Sequence, residues 1–421
     1  MKVIYPSFAS YIKQNIYNNI LPSYSYQTMS SSLPAISNIS VKYHDTLHFT
    51  LSNVNVSFAN ALRRTILSDI PINVIRTETH DINKCKIFVN TSRLHNEIIK
   101  QRLSCIPIHT PPPTYDLDYL PQHYLLEVNV SNDTENTIYV TTEDFVLKPK
   151  TDTTTTNTTT PTDGNDDLLR NAKELSRQVF PKNTISDRYI DFARLRGKID
   201  NNRGEKLHLQ AEFSIATAKE NSMFNVASIC TYSNTLDSRK IDDKWAEEQQ
   251  KLTELDEQEL LFRKKNFYIL DAQRCFIEDS FDFILKSVGV YENKYILVKA
   301  CQVLIENFQR LYNSVTQKEM TFVKNENVTV DECYDFHLHD LDCYTYGKCL
   351  EAVYYKNYFL PGQIVFCGFK KFHPHDANAI LRIVYGQPVD ETKLVDDLRI
   401  VINQCVQVFQ QIQTKVNEMI A

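Results

Sequence analysis

The sequence predicts an α+β protein made of two related modules, each an antiparallel sheet with one short and one long helix, paired within one chain. Strand-like alternation and two long apolar helix stripes point to this class. The order strand, short helix, proline occurs twice in the sequence, around Leu62 and Pro71 and again around Leu350 and Pro361. This internal repeat predicts the second module. Short alternating segments separate the two parts of the first module, which predicts an inserted β-rich domain.

The bulk composition excludes several classes of function. The chain has 421 residues and a formal net charge of -6. Binding to nucleic-acid backbones is therefore not expected to be its main function. Only 8 glycines occur, and the common glycine-rich phosphate-binding patterns are absent from the sequence. A nucleotide-binding enzyme of the usual kinds is therefore not expected.

The N-terminal extension, residues 1–38, is rich in Tyr, Ser and Asn and lacks the continuous apolar core of a signal peptide. The sequence has no apolar run of about 18 residues, which argues against a spanning helix. Its 10 cysteines are scattered without a CxxC pair, as expected of buried thiols in a reducing compartment. We therefore expect a soluble, intracellular protein.

Residues 39–76 and 266–314 are assigned to the first module. In the second of these ranges, strand-like SFDFIL is followed by a turn at Gly289 and by a long helix. The apolar stripe of that helix is formed by Leu297, Cys301, Leu304, Phe308 and Leu311.

The short helix of the first module follows the strand-like segment TLHFTL, with Asn55 as its N-cap. Phe58, Leu62 and Ile66 recur every fourth residue and are expected to face the core. The adjacent arginines of the same helix then point away from that core, either into solvent or toward a partner protein.

The inserted β-rich domain is assigned to residues 77–265, because short alternating segments such as HYLLEVNV are divided there by turn-rich pieces. Within it, the Thr-rich loop at residues 151–167 is too polar to pack and is expected to be disordered. Residues 237–265 are dense in charge, which indicates either an exposed helix or a flexible connection.

A linker at residues 315–328 leads to the second module, residues 329–421, whose long helix also carries an apolar stripe. Each side chain of such a stripe contributes about 1.5 to 3 kcal/mol when buried, so two stripes in one chain are expected to face each other. The predicted interface between the modules comprises Phe58, Leu62, Ile66, Leu297, Cys301, Leu304, Phe308, Leu311, Leu350, Leu394, Leu398, Val401, Cys405, Val408, Ile412 and Val416.

The segment HLHDLDC contains residue types that bind metals, namely His337, His339, Asp340 and Cys343. Apolar residues alternate with the two histidines, so a strand with both histidines on one face is the simpler interpretation. His373 and His375 flank Pro374 in a predicted turn, and a metal-binding role is disfavoured there as well. No local pattern pairs a cysteine with a histidine for catalysis, so the sequence predicts no catalytic residue, no metal and no cofactor.

The segment NVSFANALRRTILSDIPINVI resembles the hallmark segment of the alpha-like family of multisubunit RNA polymerases, which comprises bacterial alpha, archaeal D and the third-largest polypeptide of polymerase II. The resemblance continues through LHNEIIKQRLSCIPI and DSFDFILKSVGVYENKYILVKACQVL. The residues at that family's spacing are Asn60, Leu62, Arg63, Arg64 and Pro71.

The last hundred or so residues are similar to the small partner of that family, archaeal L or its polymerase II counterpart. The agreeing residues are Gly347, Leu350, His373, Pro374, Leu381 and Arg382. Lys348 replaces the usual Asn, and Glu351 stands near an expected basic position. Some relatives of the first module carry zinc or an iron–sulfur cluster in the inserted domain, but here its cysteines lie far apart.

The resemblance implies a fused alpha-like heterodimer, an arrangement found in large DNA viruses that encode their own polymerase. Such a pair would be a non-catalytic platform that nucleates assembly of the two largest polymerase subunits, with small polymerase subunits as further partners. Asn60, Arg63 and Arg64 are the predicted large-subunit contacts, although Asn60 equally suits a local capping role. A homodimer is not expected because the partner module lies in the same chain, and DNA would be reached only through the complex.

This interpretation predicts a viral cytoplasmic factory or virion as the location, with the nucleus as an alternative. Two other functions stay open at this level: a cytosolic enzyme with a cysteine or metal centre, and a scaffold or DNA-binding protein unconnected to transcription.

Overall fold

The computed structural model describes residues 33–43, 45–110, 116–150, 173–198, 203–252, 256–320, 322–325, 332–339 and 343–420. The Thr-rich loop at residues 151–167 and most of the predicted N-terminal extension lie outside these ranges. The described residues form helices and antiparallel sheets, so the predicted α+β class is confirmed.

Sheet A has four strands in the order β1-β2-β12-β11, and every neighbouring pair is antiparallel. These strands are β1 (Ala35–Lys42), β2 (Thr46–Ser52), β11 (Ala227–Leu236) and β12 (Phe276–Ser287). The period-two alternation of β12 places Phe281, Phe283 and Leu285 in the core. Phe283 stacks on Phe49 of β2, with ring centroids 5.0 Å apart.

Two helices cover sheet A, namely α1 (Val56–Ser68) and α6 (Asn293–Thr316). Helix α1 begins where Asn55 caps it, because the Asn55 side chain accepts a hydrogen bond from the Ser57 backbone N–H. Gly289, the predicted turn residue before α6, has φ of 113°, a backbone conformation that favours glycine.

Residues between β3 and β10 form a β-rich part with its own hydrophobic core, separate from the core under sheet A. Strands β3 (Ile72–Val74) and β10 (Ser214–Ala216) pair at its base. Sheet B above them has the order β4-β9-β5-β7. The remaining elements of this part are β4 (Cys85–Asn90), β5 (Tyr124–Ser131), β6 (Ile138–Thr141), β7 (Phe145–Pro149), β8 (Asp191–Leu195), β9 (Lys206–Glu212), α2 (Asn96–Ser104), α3 (Tyr119–His123) and a short helix at residues 173–179.

Between β11 and β12 the chain forms two helices, α4 (Ser238–Lys251) and α5 (Glu257–Ile269). These helices lie in the charge-dense segment, for which the sequence pattern allowed either an exposed helix or a flexible connection. Asp237 caps α4 and Asp256 caps α5 through side-chain hydrogen bonds to backbone N–H groups. The helical alternative therefore holds for the described residues of this segment.

Sheet C has the order β13-β14-β16-β15, again with antiparallel neighbours. Its strands are β13 (Phe322–Lys324), β14 (Cys333–Leu338), β15 (Ile364–Lys370) and β16 (Ala379–Tyr385). Helix α7 (Cys343–Tyr354), which continues as a π-helical turn over Tyr355–Phe359, packs on β15 and β16. Asp397 of the long helix α8 (Glu391–Ile420) accepts a hydrogen bond of 2.9 Å from the Tyr385 hydroxyl of β16.

Three predicted boundaries need correction. Residues 227–236, which the sequence pattern assigns to the inserted domain, form β11 and pair with β12 of sheet A. Residues 322–324, inside the predicted linker, form β13 and pair with β14. The predicted N-terminal extension reaches residue 38, whereas β1 already begins at Ala35. Strand membership depends on the pairing partner as well as on local alternation, and for β11 that partner, β12, follows only after two helices.

Helices α1, α6, α7 and α8 pack together between sheets A and C, and their apolar side chains belong to one continuous hydrophobic cluster. We call this four-helix contact the helix seam. Among the described helices, none combines the length and the apolar character needed to cross a membrane.

Candidate protein interface

Helix α1 has one fully buried face and one polar face. The buried face is formed by Phe58, Ala59, Ala61, Leu62, Thr65 and Ile66. Asn60, Arg63 and Arg64 are half-buried and follow the other side of the helix. Small residues at two of the buried positions let the helix approach its neighbours closely.

The side chains of Asn60 and Arg63 form a local pair. The Arg63 Nε–H donates to the Asn60 Oδ1 atom at 3.0 Å, one turn away along α1. The Arg63 guanidinium lies close enough to β11 to act on Cys230. Burial raises the pKa of the Cys230 thiol to about 12, and the positive charge of Arg63 opposes that increase. The hydrogen bond to Asn60 uses the Nε–H group of Arg63 and so orients its guanidinium. The terminal N–H groups of that guanidinium can still donate to a carboxylate.

Arg64 makes a different contact. Its Nε–H donates to the Thr345 hydroxyl of α7 at 3.0 Å, and its guanidinium carbon lies 6.0 Å from the centre of the Tyr344 ring. The sequence pattern places both arginines on the outer surface, whereas the structure directs Arg64 across to α7. Sequence reasoning missed Thr345, which is 281 positions away, and no local signal links the two residues.

Every residue of the predicted interface between the modules lies on one of the four helices of the helix seam. All of them are buried in its hydrophobic cluster except Val408, which is half-buried and packs against the cluster. The aromatic contacts between these helices involve two rings that the helical spacing did not single out, Phe409 and Tyr346. Phe409 lies 5.4 Å from Phe58 and 6.0 Å from Phe308, and Phe308 lies 4.9 Å from Tyr346, as measured between ring centroids.

Polar contacts also cross the helix seam. The Asn307 side-chain amide of α6 donates to the Tyr346 hydroxyl of α7 at 2.7 Å. The Lys294 ammonium group, at the start of α6, donates to the Met419 carbonyl near the end of α8 at 2.9 Å. These bonds fix the register of α6 against both helices, because each requires one particular alignment.

Lys348 and Glu351, which depart from the family pattern on α7, form an ion pair with each other one turn apart. Both charges therefore have a partner within α7. The opposite charges of these two residues therefore compensate each other within the helix.

The candidate metal ligands His337 and His339 lie at the end of β14 and just after it. The rings of His337 and His339 lie parallel, with centroids 6.1 Å apart, and His339 Nδ1 lies 2.8 Å from Asn378 Oδ1. Within the described ranges no group of three or more potential ligands comes together; Asp340 and the Cys343 side chain lie outside them. Burial raises the pKa of the Cys301 thiol to about 12, which disfavours the nucleophilic thiolate.

Residues 48–308, more than half of the chain, match the family model described as the RNA polymerase Rpb3/Rpb11 dimerisation domain. The matched range begins in β2 and ends in α6, so it includes α1 and the strands β11 and β12 that follow the β-rich part, but not β1.

Individual relatives carry related names. The chain is 43% identical over 79 residues to DNA-directed RNA polymerase subunit Rpo3 of Pyrococcus furiosus, which is 19% of this chain and 28% of the relative. It is 32% identical over 72 residues to the human DNA-directed RNA polymerases I and III subunit RPAC1, covering 17% of this chain and 19% of the relative. A conjugation stage-specific protein of Tetrahymena thermophila is 28% identical over 197 residues, 44% of this chain and 54% of the relative.

The aligned stretches thus span only about a quarter of the archaeal relatives and about half of the ciliate one. The match of the family model is much longer and covers β2, β11, β12, α1 and most of α6. This chain belongs to the RNA polymerase Rpb3/Rpb11 dimerisation domain family.

Proposed function

We propose that this protein is a non-catalytic assembly subunit of a multisubunit DNA-directed RNA polymerase and carries both halves of an alpha-like pair in one chain. Its family and the names of its relatives support a role in a polymerase. Its immediate partners are the two largest subunits and small subunits of that enzyme. DNA is reached only through the assembled complex.

The observation that carries this proposal is the helix seam. Sheet A with α1 and α6, and sheet C with α7 and α8, share one hydrophobic core rather than having two. Either half alone would expose the apolar face of a long helix, at a cost of about 1.5 to 3 kcal/mol for each large side chain. The two halves therefore stabilise each other as partner subunits would.

The two modules are best assigned from sheet membership. The first consists of β1, β2, β11, β12, α1 and α6, the second of β13 to β16, α7 and α8, and the β-rich part runs from β3 to β10. Joining the modules in one chain replaces a bimolecular step with an effective concentration typically in the millimolar range for short linkers. It also fixes their ratio at one to one, so no homodimer is needed.

Within this platform, Arg63 is the proposed large-subunit contact and Asn60 orients it. A guanidinium fork held at its Nε can bind a carboxylate or carbonyl oxygen of the partner with its remaining N–H groups. Arg64, by contrast, is proposed to stabilise the contact between the two modules through Thr345.

Affinity purification of the tagged chain from its native source tests the platform. We expect two very large polypeptides to be recovered at one copy each. Arg63→Glu should reduce their recovery, because a carboxylate repels the acceptor that the arginine binds, while leaving the thermal unfolding of the purified chain nearly unchanged.

Arg310→Glu is the matched control. Arg310 is exposed on α6 and, like Arg63, donates to an Asn three residues earlier, with 3.4 Å between its terminal nitrogen and the Asn307 Oδ1 atom. The Arg310→Glu variant should recover the two large polypeptides as well as the unaltered chain does. Failure to recover large polypeptides with the unaltered chain would refute the platform, and equal losses with both variants would refute the role of Arg63.

A second experiment tests the intramolecular pairing. A protease site is introduced between Lys318 and Phe322, in the segment that joins α6 to β13, and the folded protein is cut there. Because the helix seam holds the modules together without the covalent link, the two pieces should elute as one species in native buffer and separate in denaturant. Separation in native buffer at micromolar concentration would contradict the pairing.

The viral source and the location in a cytoplasmic factory or virion stay predictions, with the nucleus as the alternative. Immunofluorescence in the native host, together with a marker of viral DNA, would decide between the two sites.

A further inference from the structure

Strand β11 forms a free edge of sheet A. The order β1-β2-β12-β11 places β12 on one side of it, and among the described residues no strand lies on the other side. Every second residue of such a strand directs its backbone N–H and C=O groups away from the sheet. Within the part of the chain that the structure describes, no hydrogen bond joins the backbone of residues 228–236 to anything other than β12. These outward groups can therefore bind another chain.

The usual protection of an edge strand is absent from β11. It has 10 residues, and its sequence ASICTYSNTL contains no charged residue and no proline. From Ile229 to Asn234 it pairs with β12 in unbroken register. By contrast, the edge strand β1 has a register shift within it and ends in Lys42, and the edge strand β7 ends in Lys148 and Pro149. Charges, prolines and bulges keep edge strands from pairing with other chains, so β11 remains open to a further strand.

Hydrogen-bond donors line the side of this edge that faces α1. Tyr232 of β11 packs into the helix-facing side of sheet A, where its ring centroid lies 5.3 Å from those of Phe281 and Phe283. Among the described residues, neither the Tyr232 hydroxyl nor the terminal N–H groups of Arg63 have a hydrogen-bond partner. Both groups can donate to an incoming acceptor.

The charge at this edge is positive. Burial raises the pKa of the Tyr232 phenol, and the positive charge of Arg63 opposes that increase, as it does for the Cys230 thiol. Arg63 thus lies near both residues of β11. In the described part of the chain Arg63 forms no ion pair with a carboxylate. A guanidinium in this situation next to a phenol donor is complementary to the oxygens of an acidic side chain.

We propose that an extended segment of a partner subunit adds to the free edge of β11 as a fifth strand of sheet A and places an aspartate or glutamate against Arg63 and Tyr232. The backbone groups of β11 select a strand, because an extended chain matches their spacing. The two side-chain donors select an acidic residue. Identification of the partner as a polymerase subunit rests on the proposed function, whereas the strand and its acid follow from the edge itself.

A partner strand fits this edge better than other occupants. Two copies of this chain joined through β11 about a two-fold axis near Tyr232 would bring both Arg63 side chains together, and β11 supplies no acid between them. A docked helix would leave the backbone groups of the edge unpaired. Nucleic acid would find no row of cations along β11.

The test uses the full chain and three fluorescein-labelled peptides of about nine residues, the length of a long strand, in which threonine alternates with valine. The first has a central aspartate and the second a central lysine. The third keeps the aspartate but has prolines at the two positions on either side of it, so it cannot donate to the edge. Fluorescence anisotropy should show binding of the first peptide in about the 10 to 100 micromolar range and at least about tenfold weaker binding of the other two.

Each alternative result counts against the proposal. Equal binding of the aspartate and lysine peptides would refute the acid contact, and equal binding of the proline peptide would refute the added strand. Binding of none of the three would overturn the proposal. Concentration-dependent dimerisation in sedimentation that the aspartate peptide reverses would assign the edge to a second copy and would also overturn it.

Two variants locate the acid contact. Arg63→Gln should weaken the aspartate peptide at least about tenfold, and Tyr232→Phe, which keeps the ring, at least about threefold. Arg310→Gln is the matched control on α6 and should change nothing. Aspartate-peptide binding that survives Arg63→Gln would refute the site.

Hydrogen exchange of the unaltered chain gives a readout that depends on no variant. Mass spectrometry should show about four amides of residues 228–236 exchanging more slowly with the aspartate peptide bound, because every second amide of an edge strand points outward. Residues 35–42 of β1 should be unaffected. Unchanged exchange in β11 would overturn the proposal.

The same measurement on the purified complex separates this site from the platform. When the two large polypeptides are bound, the outward amides of β11 should exchange more slowly than in the isolated chain. Unprotected β11 amides in that complex would overturn the added strand and leave the platform standing. Peptide binding by the isolated chain, without recovery of large polypeptides, would refute the platform alone.

Discussion

Replacing Phe409 by alanine should destabilise the protein by about 3 to 5 kcal/mol, the range observed for buried Phe→Ala changes. Phe409 is fully buried in α8 and contacts Phe58 of α1 and Phe308 of α6. Loss of the ring leaves a cavity where three helices meet, and the rigid surroundings can fill it only in part. Urea unfolding monitored by circular dichroism should show a lower midpoint.

Ile400→Ala on the same helix is the matched control. Ile400 is 48% exposed, so its truncation should change the free energy of unfolding by no more than about 0.5 kcal/mol. Phe308→Ala combined with Phe409→Ala should deviate from additivity by about 0.5 to 3 kcal/mol, because the rings share one cavity. If Phe409→Ala lowered the free energy of unfolding by less than about 1 kcal/mol, the aromatic rings would not be what stabilises the helix seam.

A charge placed inside the helix seam should have a comparable or larger effect. Cys301 of α6 is fully buried, and Cys301→Asp puts a carboxylate of similar size into apolar surroundings. An uncompensated buried charge costs about 3 to 5 kcal/mol. Cys301→Ala and Cys301→Ser remove the thiol without adding charge and should be milder, the serine costing about 1 to 3 kcal/mol.

The pH dependence of Cys301→Asp distinguishes a charge effect from a packing effect. Burial raises the pKa of an aspartate in the folded state above its unfolded value. The folded state then binds more protons than the unfolded state, so the free energy of unfolding rises as pH falls through that window. Urea unfolding at pH 7 and pH 5 should show partial recovery at pH 5. A variant as stable as Cys301→Ala at pH 7 would contradict the burial of this position.

Local features of the fold can be predicted from the residues alone. The Asn55 cap, the turn at Gly289 and the two long helices are where the sequence places them. Each depends on interactions within a few positions, such as a side chain reaching the next backbone N–H group or apolar residues spaced by one helical turn.

Pairings between distant segments could not be predicted in the same way. Strand β11 is separated from β12 by two helices, and its residues alternate just as those of the β-rich part do. Arg64 directly follows Arg63 on the same helix but reaches Thr345 of another helix. Phe409 and Tyr346 lie at the centre of the seam, although the helical spacing selects other residues.

The residues fix which segments become helices and strands and which faces must be buried, because periodicity and capping act over one or two turns of chain. They also carry the segment that resembles the polymerase family. The choice of partner for each buried face, and the side chains that meet at its centre, follow from shape complementarity among elements hundreds of positions apart. Such contacts exist only once the chain has closed on itself.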